Sequence, residues 1–203
     1  MSNTSSNIAV VILAAGASTR MRTPKQLLKW NSSTLIEHTI KTALNSSAKE
    51  IIVVLGANFE SIISKIEQYP ITILNNEAWK VGLGKSLAFG INYIKQSNKN
   101  FNACLVTLAD QPFIDAEFLN TLINEFQPNK KQIIATSYNN EKQGVPVIFD
   151  EFYFDELLKL NDDSGAKQLL NKYKSSLKTF KPDIENVDLD TKSDYETLYK
   201  KST

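Results

Sequence analysis

Arg20 and Lys25 follow a run of small residues, Ala14, Ala15, Gly16, Ala17 and Ser18. Guanidinium and ammonium groups donate hydrogen bonds and accept none, and small side chains let an anion lie close to backbone N–H groups. The combination outlines a phosphate site; its plain alternative is a surface turn with solvated charges. Asp110 directly follows the apolar run CLVTLA, and Asp188 and Asp190 close the stretch NVDLD. A carboxylate at the carboxyl end of a strand meets a cation or caps a turn. Gly82-Leu83-Gly84-Lys85-Ser86 gives a second stretch whose backbone can approach a planar or anionic ligand. A nucleoside triphosphate carries about four negative charges near neutrality and needs both cationic donors and a hard divalent ion; Mg²⁺ takes one or two protein carboxylates plus phosphate oxygens. This inventory meets that demand.

The elements that position these residues read as an alternation of strands and helices. Residues 8–13 form an unbroken apolar run, the pattern of a strand buried on both faces, so the Gly16 loop falls at its carboxyl end. Thr34 and Glu37 make a capping-box signature ahead of the helical face Leu35, Ile36, Ile40, Ala43 and Leu44. Strands are then expected over 51–55, 71–74, 103–108 and 133–136. Helices are expected from the stripe Phe59, Ile62, Ile63 and Ile66, and over 87–94 and 118–126. This rhythm predicts an α/β fold: a Rossmann-like three-layer domain with a mostly parallel sheet covered on both faces, binding ligands outside the carboxyl ends of its strands.

Residues 75–86 read as a loop before the helix of Leu87. Residues 139–182 are less regular: a polar turn, a short strand VPVIF, a helical stretch from Phe152, and NDDSGAKQLL as a helix start with Asp163 or Ser164 as N-cap. Gly165 there leaves room for a ligand or a close backbone. NVDLD is expected to be a strand, with a helix from about Lys192; its two carboxylates at i and i+2 suit a metal or an exposed strand edge with a cap.

Composition narrows the classes. The 203 residues suit one domain, 1–203, with residues 1–7 frayed. Lys and Arg number 23 against 22 Asp and Glu, so no large basic field for nucleic acid or an anionic membrane is implied. MSNTSSN lacks the apolar core of a signal peptide, and no apolar run approaches the roughly 20 residues that span a bilayer; the reading is a soluble cytoplasmic protein. Cys104, the single cysteine, lies in an apolar run as a small core residue, and His38, the single histidine, is a helix residue without catalytic partners.

Three familiar chemistries are disfavoured. Gly84-Lys85-Ser86 ends like a Walker A loop, but Trp79 stands where that motif needs its first glycine. No G-x-G-x-x-G follows the first strand, and no G-x-S-x-G elbow occurs.

What remains resembles a known family. LAAGASTRMRTPK, residues 13–25, resembles the signature loop of nucleotidyltransferases with the glycosyltransferase-A-like (nucleotide-diphospho-sugar transferase) fold, most closely the molybdenum-cofactor nucleotidyltransferases. WKVGLGKSL, TLADQPFI, GVPVIF, NDDSGAKQLL and VDLDTKSDY follow in the order expected of the cytidylyltransferase branch, so the resemblance covers nearly the whole chain. It implies Mg²⁺-dependent transfer of CMP from CTP to the phosphate of a molybdopterin-type acceptor, with a molybdoenzyme client as a further partner. Leu13, Ala14, Ala15, Gly16 and Ser18 would hold the nucleotide with Gly82, Gly84 and Ser86. Arg20 and Lys25 would bind the triphosphate and act in catalysis, and Asp110 and Asp188 would hold Mg²⁺, with Asp190 able to replace or assist Asp188. Gln111, Pro146, Asp163 and Gly165, with the 139–182 region, would face the acceptor. Thr23 to Leu28 resembles the CTP-using members, and Asp-Gln-Pro at 110–112 leans the same way. GTP as donor, a sugar 1-phosphate as acceptor, and a non-catalytic cofactor chaperone are the alternatives. The chain departs from the family pattern at Arg22, Leu83 and Lys192, often glycine, methionine and proline.

Overall fold

The structure, a computed structural model, describes residues 6–21, 23–138, 142–182, 189 and 191–202. Strand β1 (Ile8–Leu13) is buried along its whole length, as an apolar run without alternation requires. It pairs in parallel with β4 (Glu50–Leu55) on one side and β6 (Ala103–Leu108) on the other, with Leu13 opposite Val54 and Leu108. A short hairpin of β2 (Lys29–Trp30) and β3 (Ser33–Thr34) intervenes in sequence. With β5 (Thr72–Asn75), β7 (Ile133–Ser137), β8 (Gln143–Asp150) and β9 (Leu177–Phe180), seven strands form one sheet in the order β5-β4-β1-β6-β8-β7-β9. Among the described strands of that sheet, only β8 runs antiparallel to its neighbours. The chain winds outward from β1 through β4 to β5, then returns to place β6 on the opposite side. The crevice between β1 and β6 is therefore a topological switch point, where such sheets receive ligands.

Alternate residues of β1 feed two cores. Ile8, Val10 and Ile12 pack with α1 (Leu35–Leu44), α2 (Phe59–Ile66) and α4 (Ala116–Glu125). Ala9, Val11 and Leu13 pack with α3 (Leu83–Gln96), α5 (Phe154–Leu157) and α6 (Lys167–Lys172). Each fully buried Ile or Leu in these layers contributes about 1.5–3 kcal/mol. The expected capping box closes α1: Thr34 accepts from the Glu37 N–H, and Glu37 accepts from the Thr34 N–H. A third, smaller cluster seats α7 (Lys192–Ser202) through Leu198 against Trp30, Leu35 and Leu189.

Several expectations need correction. Helix α3 begins at Leu83, four residues before Leu87, and a 3₁₀ turn over Trp79–Val81 precedes it, so 75–86 is not one open loop. Neither Asp163 nor Ser164 caps α6; its N-cap is Ala166, and the Asp162 carboxylate instead accepts from the Ser164 N–H and hydroxyl at 2.9 and 2.7 Å. The expected strand NVDLD falls almost wholly outside the described residues, and Leu189 within it is not a strand residue. Strand β9 and the β2–β3 hairpin were not foreseen. Cys104 is fully buried, and burial pushes its thiol well above the ordinary range, as suits an inert core residue. Among the described residues no helix is long and apolar enough to cross a membrane.

His38 ties α1 to the segment after β6: its Nε2–H donates to the Pro112 carbonyl at 2.8 Å, and its ring tilts against Trp30. Burial holds its pKa below the ordinary 6.5. The unfolded chain therefore takes up a proton near pH 6.5 that the folded chain resists, so stability is complete above that pH and declines as pH falls toward the lowered folded value. We expect thermal scans to show a lower midpoint at pH 5 than at pH 7, with a smaller difference in His38→Gln. Equal differences in the two proteins would refute this role.

Candidate active site

At the carboxyl ends of β1 and β6 lies a cavity of about 570 Å³. Its floor is the 14–18 loop. The Ala14 N–H donates to the Val54 carbonyl at 2.9 Å, which continues the β1–β4 ladder one residue beyond the strand before the chain leaves it. Gly16 is exposed, and a Cβ there would meet nothing within 4 Å. Among the described residues no acceptor meets the N–H groups of Ala15, Gly16 or Ala17. Backbone donors without partners on a concave surface are a receptor for anionic oxygen.

Opposite them stands Asp110, 7% exposed, at the end of β6. Its Oδ2 forms an ion pair with the Lys25 ammonium, while Oδ1 is buried without a hydrogen-bond partner among the described residues. The plain reading of Asp110 as a turn cap is not what is found: among the described residues one carboxylate oxygen meets Lys25 and the other meets no donor. A buried carboxylate oxygen with no donor is costly, and a cation would satisfy it. The donor set therefore fits a hard divalent ion held by one protein carboxylate and completed by ligand oxygens and water. Among the described residues no group of three His, Cys, Asp or Glu side chains could hold a metal by itself. The Leu189 N–H donates to the Asp110 carbonyl at 3.1 Å. Asp188, Asp190 and Arg22 lie outside the described residues, as does the side chain of Arg20, whose backbone forms part of a 3₁₀ turn, Thr19–Met21.

The third wall is the N-terminus of α3. Leu83 and Ser86 line the cavity with Gly82, and the first turn of this helix contains no acidic residue, so the helix's own sequence does not neutralise its positive dipole end. Gly82 is the N-cap at φ 131, and Gly84 donates its N–H to the Asp162 carbonyl at 2.8 Å. Cβ atoms at Gly82 and Gly84 would lie 2.5 and 2.9 Å from that carbonyl oxygen. These glycines thus admit the neighbouring chain; Gly82 also lines the cavity, whereas Gly84 does not. Ser86 is buried, and its hydroxyl accepts from Asn76 Nδ2 at 3.0 Å, so its polar atom is already used within the protein.

Of the sequence-predicted residues, Leu13, Ala14, Ala15, Gly16, Ser18, Lys25, Gly82, Ser86, Asp110 and Asp163 share this one cavity. Three assigned to the acceptor do not reach it. Gln111 is buried and donates to the Tyr138 hydroxyl at 3.0 Å. Pro146, buried in β8, accepts from Thr136 at 2.7 Å. Gly165, at φ 56, faces Leu83, whose Cδ2 a Cβ would approach to 2.9 Å, so the room it leaves is filled by a side chain. Sequence reasoning missed Trp79 and Lys80, which line the cavity from the 3₁₀ turn before α3, and Gln26, a buried polar residue that also lines it. Trp79 followed by a basic residue is an available signal for the first two; a buried glutamine carries none.

The chain is similar to known proteins in both sequence and fold. The family model described as a MobA-like NTP transferase domain matches residues 10–177. The chain is 30% identical over 166 residues to the nicotine blue oxidoreductase of Paenarthrobacter nicotinovorans, covering 79% of each protein. Among solved structures, the Mycobacterium sp. strain JC1 homologue of the Mycobacterium tuberculosis protein Rv0371c superposes with a TM-score of 0.82 at 28% identity, over 96% of both chains. The Rv0371c complex with manganese superposes at 0.80 with 23% identity, over 96% of this chain and 99% of that one.

The glycines separate packing from ligand space. We expect Gly82→Ala, which strains a left-handed backbone and strikes Asp162, to lower the melting midpoint by several degrees, since a backbone clash costs on the order of 1–3 kcal/mol. Gly16→Val, pointing into open cavity, is expected to leave the midpoint within about 2 °C while occupying the floor. Differential scanning calorimetry of both variants checks this; a stable Gly82→Ala would contradict the packing role.

Proposed function

We propose, since this chain belongs to the MobA-like NTP transferase domain family, that it transfers CMP from CTP to the terminal phosphate of a molybdopterin-type acceptor and releases pyrophosphate. Residues 1–203 would act as one nucleotidyltransferase domain, in the cytoplasm. The observation that carries the reading is Asp110, a buried carboxylate with one oxygen on Lys25 and the other without a partner among the described residues, facing a loop of open N–H groups across a strand-end crevice. The Paenarthrobacter relative is named as an oxidoreductase, so kinship by itself does not fix the reaction. The charges at the site favour phosphoryl chemistry.

The chemistry asks for positioning and charge stabilisation rather than a covalent enzyme intermediate. The acceptor phosphate oxygen attacks the α-phosphorus in line; a new P–O bond forms as the α–β bridging P–O bond breaks, and pyrophosphate leaves with that electron pair. No general base is needed, because a phosphomonoester is already anionic near pH 7. The amides of the 14–18 loop and the dipole end of α3 would receive the nucleotide. Lys25, with Arg20, would neutralise the charge that gathers on the leaving pyrophosphate. Asp110 would hold Mg²⁺ with Asp188, whose neighbour Leu189 is bonded to the Asp110 backbone; Asp190 is the alternative. When bound, the ion screens the triphosphate and polarises its oxygens. A protein of the same fold, Rv0371c, forms a complex with manganese, which lends support to a divalent ion here.

CTP is preferred to GTP on the resemblance of Thr23 to Leu28 to CTP-using members. The acceptor rests on the same resemblance, with Asp163 its representative in the cavity. Delivery to a molybdoenzyme client would follow transfer.

Calorimetric titration with CTP, GTP and ATP in the presence of Mg²⁺ tests the donor, and pyrophosphate release with molybdopterin or a sugar 1-phosphate tests the acceptor. We expect tightest binding of CTP and turnover with molybdopterin. Release only with a sugar 1-phosphate would reassign the acceptor, and cofactor binding without turnover would make the protein a chaperone. Asp110→Asn and Lys25→Ala are each expected to lower turnover at least about 100-fold with unchanged circular dichroism. Near-normal turnover in either would remove the assigned role.

A further inference from the structure

We infer that Gln26 is the positioning residue of the nucleotide loop: its buried side-chain amide fixes the peptide orientations that turn the loop's N–H groups toward the cavity. The inference rests on the nucleotide reading above. Gln26 is 2% exposed, within the 3₁₀ turn Lys25–Leu27. Its Nε2 donates to the carbonyls of Ala14 and Gly16 at 2.9 and 3.0 Å, and its Oε1 accepts from the Ser18 hydroxyl at 3.3 Å. The Ser18 oxygen in turn accepts from the Lys25 N–H at 3.0 Å. One amide thus closes a ring that joins both ends of the loop to the segment carrying Lys25.

The ring has a geometric consequence. In a trans peptide the carbonyl and the following N–H point in opposite directions. With the Ala14 and Gly16 carbonyls drawn down onto Gln26, the N–H groups of Ala15 and Ala17 must point away from it. Both residues line the cavity, and neither N–H meets an acceptor among the described residues. Ser18 holds φ 54, a left-handed conformation unusual for a residue with a side chain, and its two hydrogen bonds in the ring hold it there. Neither isosteric replacement can do this work. A carboxylate at position 26 would face two carbonyl oxygens, and a methionine would offer no donor.

Titration calorimetry with CTP and Mg²⁺ on the full chain tests the inference, using Gln26→Met, Gln26→Glu, Ser18→Ala and the Ser18→Ala/Gln26→Met double variant. Gln26→Met and Gln26→Glu are expected to bind at least about tenfold more weakly than the unaltered protein while unfolding cooperatively, and Ser18→Ala about threefold or more weakly. The double variant should lose less than the product of the two single losses, because both cut one ring; independent structural damage would multiply. A folded Gln26→Met that binds within twofold of the unaltered protein overturns the inference. So does Ser18→Ala with unchanged binding where the Gln26 variants fail to fold, since Gln26 then serves folding and not the loop. An unaltered protein that binds no triphosphate overturns the nucleotide reading, and this inference with it.

Discussion

A carboxylate buried at the end of a central strand, with one oxygen satisfied by an ammonium and the other by nothing among the described residues, sets the terms for the site. Desolvating a carboxylate costs several kcal/mol, and a single hydrogen-bonded cation repays part of it. Lys25 can reach Asp110 only because the chain, on leaving β1, turns back across the crevice within twelve residues of Leu13. That return path is the 14–18 loop followed by the turn that bears Lys25 and Gln26. The ion pair, the loop and the buried amide are therefore one arrangement, and its anchor is the parallel pairing of β1 with β6.

The opposite wall follows from packing. Helix α3 lies on the second face of the sheet, with Leu87, Ile91 and Ile94 in the same core as Val11. Its first turn comes against the backbone of Asp162, close enough that glycine is required at 82 and 84. This contact brings Asp163, from a segment some eighty residues later in the chain, to the rim of the cavity that Gly82 lines. Helix dipole, lysine and loop amides supply positive potential to one side. The carboxylates of Asp110 and Asp163 lie at its margins, which suits a polyanion that arrives with a cation.

Where local chemistry and tertiary burial agree, the architecture was readable from the residues. Six apolar residues in β1 admit one reading, and Thr34 with Glu37 caps α1 as its spacing requires. The start of α3 was not readable, because Gly82-Leu83-Gly84 has poor helix propensity and no capping side chain; the Asp162 carbonyl takes the Gly84 N–H instead. Strand β9, Leu-Lys-Thr-Phe at the sheet edge, is half exposed and too short to show a pattern. Within the site, Lys25 and Asp110 are legible by type and position, whereas Lys80, equally charged, is not. Gln111 and Gly165 misled because a polar amide and a glycine look alike whether they serve a ligand or the protein's own backbone.

Gln26 shows why that distinction is hard to draw from sequence. Its partners are two main-chain carbonyls and a serine hydroxyl, so no complementary side chain elsewhere in the chain betrays it. A buried amide is tolerated only where its donors and acceptor are met, and here the loop's own backbone meets them. On the proposed nucleotide reading, the carbonyls it consumes are ones that would otherwise repel an incoming phosphate. Satisfying a buried polar side chain and clearing acceptors from the floor of an anion site are the same event. The loop thus gains its order from the residue that also defines its polarity.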